Sequence, residues 1–401
     1  MLITAARILT GHPGEVIEDG AVLISGETIV AAGPRAQVEA QASAGEPRLE
    51  CPGDTTVLPG LIDCHTHLCF NASATVLESF LQRDDEELLD DMRARAQGFL
   101  SAGVTTIRDL GDRNYLAMRL AEETENAETA GPRILSAGAP VTPPGGHCHF
   151  LGGDVSGAEQ IRALVRRNAD AGAKVIKVME TGGRLTRNSG PSWESWETQF
   201  TPADLAVVVQ AAHELGLPVA AHAHGAAGIA DAVAAGVNTL EHCTWMTPGG
   251  DYEIRADVLA DILAKDIVIC PTITAGWRQV PKVFGEERAA KLFGNVQRMA
   301  EAGARMITGT DAGVQFAQPG GLAASLSFYE HIGVSKSRIL QMATADAADA
   351  LGLGGETGKL AAGYSADLLV VDGDPLEDLA ALTAVKAVFG RGRRFQPGET
   401  K

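Results

Sequence analysis

The arrangement of hydrophobic and polar positions divides the chain into three stretches. Residues 1–57 contain short runs rich in β-branched residues, such as "LITAARILTG" and "GAVLISGETIVAAG", separated by Gly and Pro. This pattern is typical of β-strands joined by tight turns. From Val57 to about Gly352 apolar runs alternate with helical periodicity, and β character returns in "ADLLVVDGDP" and "AVKAVFGRGRRF".

The middle stretch predicts parallel strands that alternate with helices. In "TPADLAVVVQAAHELG", for example, Leu205, Val208 and Ala212 fall on one helical face, and "TPAD" forms a suitable N-cap. The strand candidates are "TVLPGLIDCHTHL", "VTTIRDLG", "PRILSAG", "KVIKVM", "PVAAHAHG", "NTLEHC", "IVICPTI" and "RMITGTDAG". Eight such units predict a (β/α)8 TIM barrel, whose active site lies at the carboxyl ends of the strands.

The domain organisation follows from these stretches. We expect an α/β protein with a catalytic barrel over residues 58–354. The β-rich segments 1–57 and 355–401 would combine into one small β-sandwich domain beside the barrel.

Composition favours a soluble protein that acts on a small molecule. Lys and Arg number 33 against 51 Asp and Glu, and the net charge of −18 argues against nucleic acid or an anionic membrane as a partner. No apolar run approaches the roughly 20 residues of a membrane span, and the first residues lack the features of a signal peptide. The 6 cysteines show no close pairing that would indicate a disulfide framework. We expect a cytoplasmic homo-oligomer.

One charged residue does not suit the strand in which it lies. The run "KVIKVM" predicts a buried strand, yet Lys177 is in its middle. An unpaired ammonium is costly to bury, so this position needs a chemical reason. A lysine whose long side chain reaches solvent describes Lys174, at the start of the strand, better than Lys177.

Residues that suit a metal ion collect at the carboxyl ends of the predicted strands. Two strands carry His-x-His pairs, whose members face the same side of a strand. The candidates are His65, His67, His222, His224, His242 and Asp311. Neutral imidazoles and carboxylates that converge at one barrel mouth are typical Zn²⁺ ligands. A single histidine is more often a packed core or surface residue, but the ordered set together with Lys177 indicates a metal centre.

With these motifs in this order, the sequence resembles the metal-dependent amidohydrolase superfamily over nearly its whole length. The resemblance rests on "LPGLIDCHTHL", Lys177, His222, His242, "TGTDAG" and "GYSADLLVVDGDP". It implies two divalent metal ions, Zn or else Mn, Co or Fe. It also implies that Lys177 reacts with CO₂ to form a carbamate, an anion with two oxygens that can bridge two cations.

The resemblance assigns a role to each ligand. The more buried cation would bind to His65, His67 and Asp311. The other cation would bind to His222 and His242, with carboxylated Lys177 as the bridge. The residues by themselves leave the choice between His222 and His224 open, because both face inward.

The resemblance also implies a mechanism for hydrolysis of an amide-type C–N bond. Two cations would lower the pKa of a bridging water, and the resulting hydroxide would attack the carbonyl. Asp311 would act as general base towards the water and as general acid towards the leaving amine. His224 would donate a hydrogen bond to the developing oxyanion.

Two loops at the same mouth carry candidates for substrate binding. The segment "GGHCHF" supplies His147 and His149, and "ETGGRLTRNSGPSWESWETQF" supplies Arg184, Trp193 and Trp196. Arg or His suits a substrate carboxylate, and Trp suits an apolar portion. Alternatively, the second loop only covers the barrel or contacts another subunit. These stretches are similar to the prolidase-like and carboxypeptidase-like branch related to imidazolonepropionases, which implies a dipeptide or N-acyl amino acid substrate.

Three other functions stay open. The same branch implies hydrolysis of xenobiotic amides, aryl ureas or carbamates as one alternative. A mononuclear deaminase or cyclic amidohydrolase typically lacks the lysine of the fourth strand, so Lys177 argues against it. A non-catalytic scaffold would have lost the ligands, whereas this sequence keeps the complete candidate set.

Overall fold

The computed structural model describes residues 1–185 and 194–395. Its strands are β1 (Leu2–Leu9), β2 (Val16–Ser25), β3 (Thr28–Pro34), β4 (Arg48–Glu50), β5 (Thr55–Pro59), β6 (Leu61–Thr66), β7 (Val104–Asp109), β8 (Arg133–Ser136), β9 (Ile176–Met179), β10 (Val219–Gly225), β11 (Thr239–Met246), β12 (Val268–Cys270), β13 (Leu368–Asp372), β14 (Val385–Gly390) and β15 (Arg393–Phe395). Its α-helices are α1 (Arg35–Glu39), α2 (Val76–Leu81), α3 (Asp85–Ser101), α4 (Leu116–Glu125), α5 (Gly157–Asp170), α6 (Pro202–His213), α7 (Ala226–Ala235), α8 (Ala256–Ala264), α9 (Val280–Phe284), α10 (Glu286–Glu301), α11 (Leu322–Ser325), α12 (Ser327–His331), α13 (Lys336–Met342) and α14 (Ala345–Ala350). Short 3-10 helices span His149–Leu151, Trp277–Gln279 and Leu379–Thr383.

One sheet joins the first and last segments of the chain. Its strand order is β15-β14-β13-β5-β1-β2-β3, and β4 also pairs with β1. The contact between the two segments is the antiparallel pairing of β5 with β13, in which Leu58 lies opposite Leu369. Buried Ile8, Val57 and Phe389 belong to one hydrophobic cluster. Apolar residues distant in sequence therefore form a common core, as burial of apolar surface favours.

The middle of the chain forms parallel sheets whose strands alternate with helices, as the hydrophobic pattern predicts. One sheet has the order β6-β7-β8 and the other β12-β11-β10-β9. The segment after β8 connects them, because Val141 N donates to Lys177 O at 2.8 Å and Met179 N donates to Val141 O at 2.9 Å. The fold is therefore mixed α/β.

Two predicted strands differ in detail from the observed ones. The run "TVLPGLIDCHTHL" divides at Gly60 into β5, in the terminal sheet, and β6, in a parallel sheet. The run "RMITGTDAG" forms isolated bridges rather than a continuous strand. Its backbone nevertheless reaches both neighbours, since Ile307 N donates to Ile269 O at 3.0 Å and Asp311 N donates to His65 O at 2.8 Å.

Side-chain caps define where two of the helices begin. Asp84 accepts a hydrogen bond from Glu87 N at 2.9 Å, and the Glu87 side chain accepts one from Asp84 N at 3.2 Å, which is a capping box before α3. Thr201 caps α6 by accepting from Asp204 N at 3.1 Å, as the "TPAD" sequence predicts.

Two sequence expectations concern the whole chain. Across residues 1–185 and 194–395, none of the helices combines the length and apolar character that a membrane span requires. The cysteines carry free thiols, as their spacing predicts, and all of them except Cys51 are buried.

Candidate metal centre

The structure brings the predicted histidines and Asp311 together at the carboxyl ends of the parallel strands. The donor atoms of one group lie within 4.8 Å of one another, and this group is His222, His224 and His242. The donor atoms of a second group, formed by His65, His242 and Asp311, lie within the same distance of one another. Because His242 belongs to both groups, the two sets of donor atoms form one continuous cluster.

The donor atoms around Asp311 have the spacing of a metal site. Asp311 Oδ1 lies 3.5 Å from His65 Nε2 and 3.4 Å from His67 Nε2. Tetrahedral Zn²⁺ with bonds of about 2.0–2.1 Å places its ligand atoms about 3.3 Å apart. These residues therefore fit a cation of that size.

The imidazoles of the other group are in close ring contact. The His242 ring centroid lies 4.5 Å from that of His222 and 4.4 Å from that of His224. The His147 ring, from the loop after β8, lies 4.6 Å from His222. The two His-x-His pairs and the loop histidine thus converge on one end of the strands.

Fixed acceptors determine which ring nitrogen of each ligand carries the proton. His67 Nδ1 lies 3.2 Å from Gly111 O, and His222 Nε2 lies 3.0 Å from Gly182 O. A carbonyl oxygen only accepts hydrogen bonds, so these nitrogens must be protonated. His67 consequently presents the lone pair of Nε2 and His222 that of Nδ1. A second partner that orients the ring in this way is typical of metal-binding histidines.

For His65 the acceptor is a buried carboxylate that the sequence analysis did not identify. Glu241 Oε2 lies 2.8 Å from His65 Nδ1, and Glu241 Oε1 accepts from Arg108 Nη2 at 2.7 Å. Strand alternation places Glu241 opposite His242, but φ is 68° at His242 and 49° at Cys243. This left-handed backbone breaks the alternation, so Glu241 and His242 both serve the same centre.

Lys177 lies beside these donors, and the surroundings of its amine are unusual for a lysine. Its side chain is completely buried, and Nζ has no hydrogen-bond partner within residues 1–185 and 194–395. Burial lowers the pKa of Lys177 to about 8. An orphaned buried nitrogen at this position fits a lysine that needs a further group, such as a carbamate, to complete its bonding.

Burial also sets the charge of the donor side chains. It lowers the pKa of His67 and of His224 to about 4, with a further contribution from the Lys177 charge. Burial also lowers the pKa of His65, His222 and His242 well below the ordinary value. The imidazoles are therefore neutral at pH 7, which is the form that binds metals. Burial raises the pKa of Asp311 to about 7.

The two histidines of the "GGHCHF" loop have different surroundings. His147 is buried beside His222, and a Cβ added at Gly183 would lie 2.4 Å from His147 Cε1. His149 is half-buried, with Nδ1 3.0 Å from Gly146 O and its ring against Phe150. Of this pair, only His147 has a described ring contact with a predicted ligand.

The loop after β9 is anchored by a residue that sequence reasoning missed. Gln199 Nε2 donates to Met179 O at 2.6 Å, and Gln199 Oε1 accepts from His147 N at 2.7 Å. The side chain thus connects the strand of Lys177 to the loop of His147. A glutamine in an irregular loop carries no sequence signal that would identify this role.

The remaining substrate-binding candidates belong to that loop and are less closely associated with the clustered histidines. Arg184 is exposed, and its guanidinium is 5.8 Å from the Phe284 ring centroid. Trp196 is half-buried, and its carbonyl oxygen packs so closely on Gly225 that an added Cβ would lie 2.1 Å away. Trp193 lies outside the described residues. Neither Arg184 nor Trp196 has a described contact with the predicted ligands.

Several known proteins are similar to this chain in sequence and in fold. The sequence model of the amidohydrolase family matches residues 56–394. An ochratoxinase of Aspergillus niger is 28% identical over 428 residues, with 96% of this chain and 84% of the relative covered. An imidazolonepropionase of Rhizobium meliloti is 26% identical over 395 residues, with 89% and 86% covered. A crystal structure of a Xaa-Pro dipeptidase with bound methionine matches with a TM-score of 0.85 at 27% identity, covering 98% of this chain and 99% of that one.

Proposed function

The chain belongs to the amidohydrolase family, and from this premise we propose that it is a binuclear metal-dependent hydrolase of dipeptides or N-acyl amino acids. It is a hydrolase that acts on C–N bonds, as its relatives indicate. The observation that carries the binuclear proposal is the buried Nζ of Lys177, which has no hydrogen-bond partner among the described residues and lies beside two donor groups that share His242.

Lys177 is the proposed bridge between the two cations. Its depressed pKa favours the neutral amine, which attacks CO₂ and loses one proton to give a carbamate anion. That anion supplies two oxygens and replaces a positive charge with a negative one next to the donors. The first cation would be held by His65, His67 and Asp311. The second would be held by His222 and His242.

Asp311 is the proposed proton carrier of the reaction. The metal ions supply the electrostatic activation of a water and the polarisation of the substrate carbonyl. Asp311 accepts a proton from the attacking water and donates it to the leaving amine nitrogen. Burial raises the pKa of Asp311 to about 7, which supports the protonated form that the second half of this exchange requires.

The hydrogen bonds of His224 favour a tautomer other than the one that its predicted role requires. Thr244 Oγ1 donates to His224 O at 3.1 Å and lies 3.1 Å from His224 Nδ1. The hydroxyl proton is thus committed to the carbonyl, so Nδ1 donates and Nε2 carries the lone pair. Neutral His224 would therefore act as a ligand or proton acceptor, and donation to an oxyanion would require its imidazolium form.

Residues at the mouth support a substrate with a carboxylate and an apolar portion. Phe316, five positions after Asp311, is 71% exposed, and its backbone N donates to Ala72 O in the loop after His67. Phe284 is 40% exposed and lies beside the Arg184 guanidinium. An arginine next to an exposed aromatic ring suits an amino acid carboxylate and its side chain. The similarity to a Xaa-Pro dipeptidase favours the same substrate class.

We also propose that the parallel strands close into a barrel and that the two terminal segments form a second domain. A closed (β/α)8 barrel over residues 58–354 is supported by the hydrogen bonds of Val141 with β9 and of the 305–312 segment with β12 and β6. A small domain of residues 1–57 and 355–401 is supported by the single sheet that both segments share, and its β-sandwich form stays a prediction.

The test is a substrate panel with metal analysis. The protein would be loaded with Zn²⁺ and bicarbonate, and offered Xaa-Pro and other dipeptides, N-acyl amino acids, aryl ureas and carbamates, with products detected by mass spectrometry. We expect release of C-terminal amino acids and two metal ions per chain. Lys177→Ala should lose both, whereas the exposed Lys174→Ala should lose neither.

Other outcomes would select other functions. Cleavage of ureas, carbamates or uncharged amides alone would favour the xenobiotic alternative. Ammonia release from a cyclic amidine with one metal ion per chain would favour the mononuclear deaminase. A protein without bound metal and without turnover would be the scaffold, and the proposal would fail.

A further inference from the structure

Thr272 has an unusual backbone conformation for a β-branched residue. It follows β12 by two residues and has a φ of 55°, in the left-handed region that Thr rarely adopts. Such strained residues persist where the surroundings hold them, often at functional sites. Its Oγ1 lies 2.6 Å from His242 Nδ1, the shortest described hydrogen bond to any of the clustered histidines.

We propose that Thr272 is a positioning residue that sets the proton arrangement of His242 and thereby the affinity of the second metal position. The hydroxyl lies 2.7 Å from Pro271 O, which only accepts hydrogen bonds. Thr272 therefore donates to that carbonyl and accepts from His242 Nδ1. The lone pair of His242 is left on Nε2. This inference rests on the proposed binuclear function.

The tautomer of His242 matters for metal binding because of the position of this residue in the cluster. It is the residue shared by the two donor groups, and its ring lies 5.1 Å from His65 as well as against His222 and His224. The residue is 7% exposed, so Nδ1–H has little access to water as a substitute acceptor. Without Oγ1, the proton would more readily occupy Nε2 and remove the lone pair from the metal.

The neighbouring strand contains the same arrangement. Thr244 Oγ1 donates to His224 O and accepts from His224 Nδ1, both at 3.1 Å. Two adjacent histidines of the cluster are thus oriented by threonine hydroxyls whose own protons are given to carbonyl oxygens. The repetition supports a role in setting ring protonation rather than an accidental contact at Thr272.

Two substitutions distinguish the contribution of the Thr272 hydroxyl from that of the side-chain shape. Thr272→Val keeps the branching and the backbone strain but removes the acceptor, whereas Thr272→Ser keeps the acceptor. Metal content would be measured after dialysis against a graded chelator. We expect the second equivalent of Zn²⁺ to bind about 10–100-fold more weakly in the Val variant and within about threefold of wild type in the Ser variant. Thr274→Val, on the same loop, is the matched control.

A second measurement needs no variant and no metal. Imidazole ¹⁵N chemical shifts of the metal-free wild-type protein report which nitrogen of His242 is protonated. Protonated Nδ1 is the expected result. Protonated Nε2, or a Val variant that binds the second equivalent as tightly as wild type, would overturn the inference. A wild type that binds fewer than two metal ions would instead contradict the binuclear proposal, and the ¹⁵N spectrum would still decide the role of Thr272.

Discussion

Replacement of Glu241 by Gln tests whether the buried charge network supports the metal centre. Glu241 is fully buried, and its two oxygens contact Arg108 Nη2 at 2.7 Å and His65 Nδ1 at 2.8 Å. In Glu241→Gln the amide oxygen would remain with Arg108, because the guanidinium has only donors. The amide nitrogen, also a donor, would then face the protonated Nδ1 of His65. Both the charge balance and the orientation of His65 would be lost.

The expected loss of stability follows from the burial of the Glu241–Arg108 ion pair. Arg108 is 3% exposed, so its charge has almost no water to compensate for a missing partner. Removal of one partner from a buried ion pair costs about 3–5 kcal/mol. Attraction between unit charges about 4 Å apart, at an effective dielectric constant of about 20, is about 4 kcal/mol. Since the amide oxygen still accepts from Arg108, we expect a loss of about 3 kcal/mol, and metal binding about 10–100-fold weaker.

The assay is urea denaturation of the metal-free protein, followed by Zn²⁺ titration of the folded variants. Glu180→Gln is the matched control, because Glu180 is equally buried but neither of its oxygens has a hydrogen-bond partner in the described part of the chain. Its unfolding free energy should not fall, because Glu180 has no hydrogen-bond partner in the described residues to lose. Equal losses in the two variants would refute the reasoning, since the cost would then be independent of the Arg108 partner.

Four further outcomes are expected. Lys177→Ala should lose metal and activity together, and a short-chain carboxylate should restore part of both; full activity would exclude the bridging role. Asp311→Asn should keep much of its metal by elemental analysis while kcat falls about 10²-fold or more, since the proton carrier is gone. Burial raises the pKa of Glu180 well above 4.5, so the folded protein holds a proton that the unfolded chain releases, and stability falls as pH rises above 4.5. Glu180→Met should therefore raise the unfolding free energy by about 1–3 kcal/mol at pH 8, with a smaller gain at pH 4.5 in thermal or urea unfolding. Phe316→Ser should raise KM for apolar substrates several-fold without a change in metal content; unchanged KM would remove Phe316 from the substrate site.

The alternation of strands and helices, and the convergence of the candidate ligands at the strand ends, could be predicted from the sequence. Parallel strands bring their carboxyl ends to one edge, so His65, His222 and His242 had to lie near one another once the strands were recognised. Lys177 was recognisable because an ammonium contradicts a buried apolar run. These inferences use only periodicity and the cost of burying charge.

The residues that orient the ligands could not be predicted in the same way. Glu241 and Thr272 act through backbone conformations with positive φ at or next to them, and strand periodicity assumes regular backbone. Gln199 acts from an irregular loop, where side-chain direction has no periodic signal. The substrate candidates Arg184 and His149 lie on loops as well, and their contacts depend on tertiary packing rather than on local sequence.

The pairing of β5 with β13 has a consequence for biosynthesis. β5 leaves the ribosome early, but its partner β13 is made only after the whole α/β region, so the edge of β5 stays unpaired for most of translation. Unpaired strand edges on incomplete chains favour aggregation. Gly60, the residue that leads from β5 into β6, donates its backbone N–H to Asp367 O at 3.0 Å, immediately before β13. The start of the strand that carries His65 therefore gains this contact only after the final segment of the chain has been made.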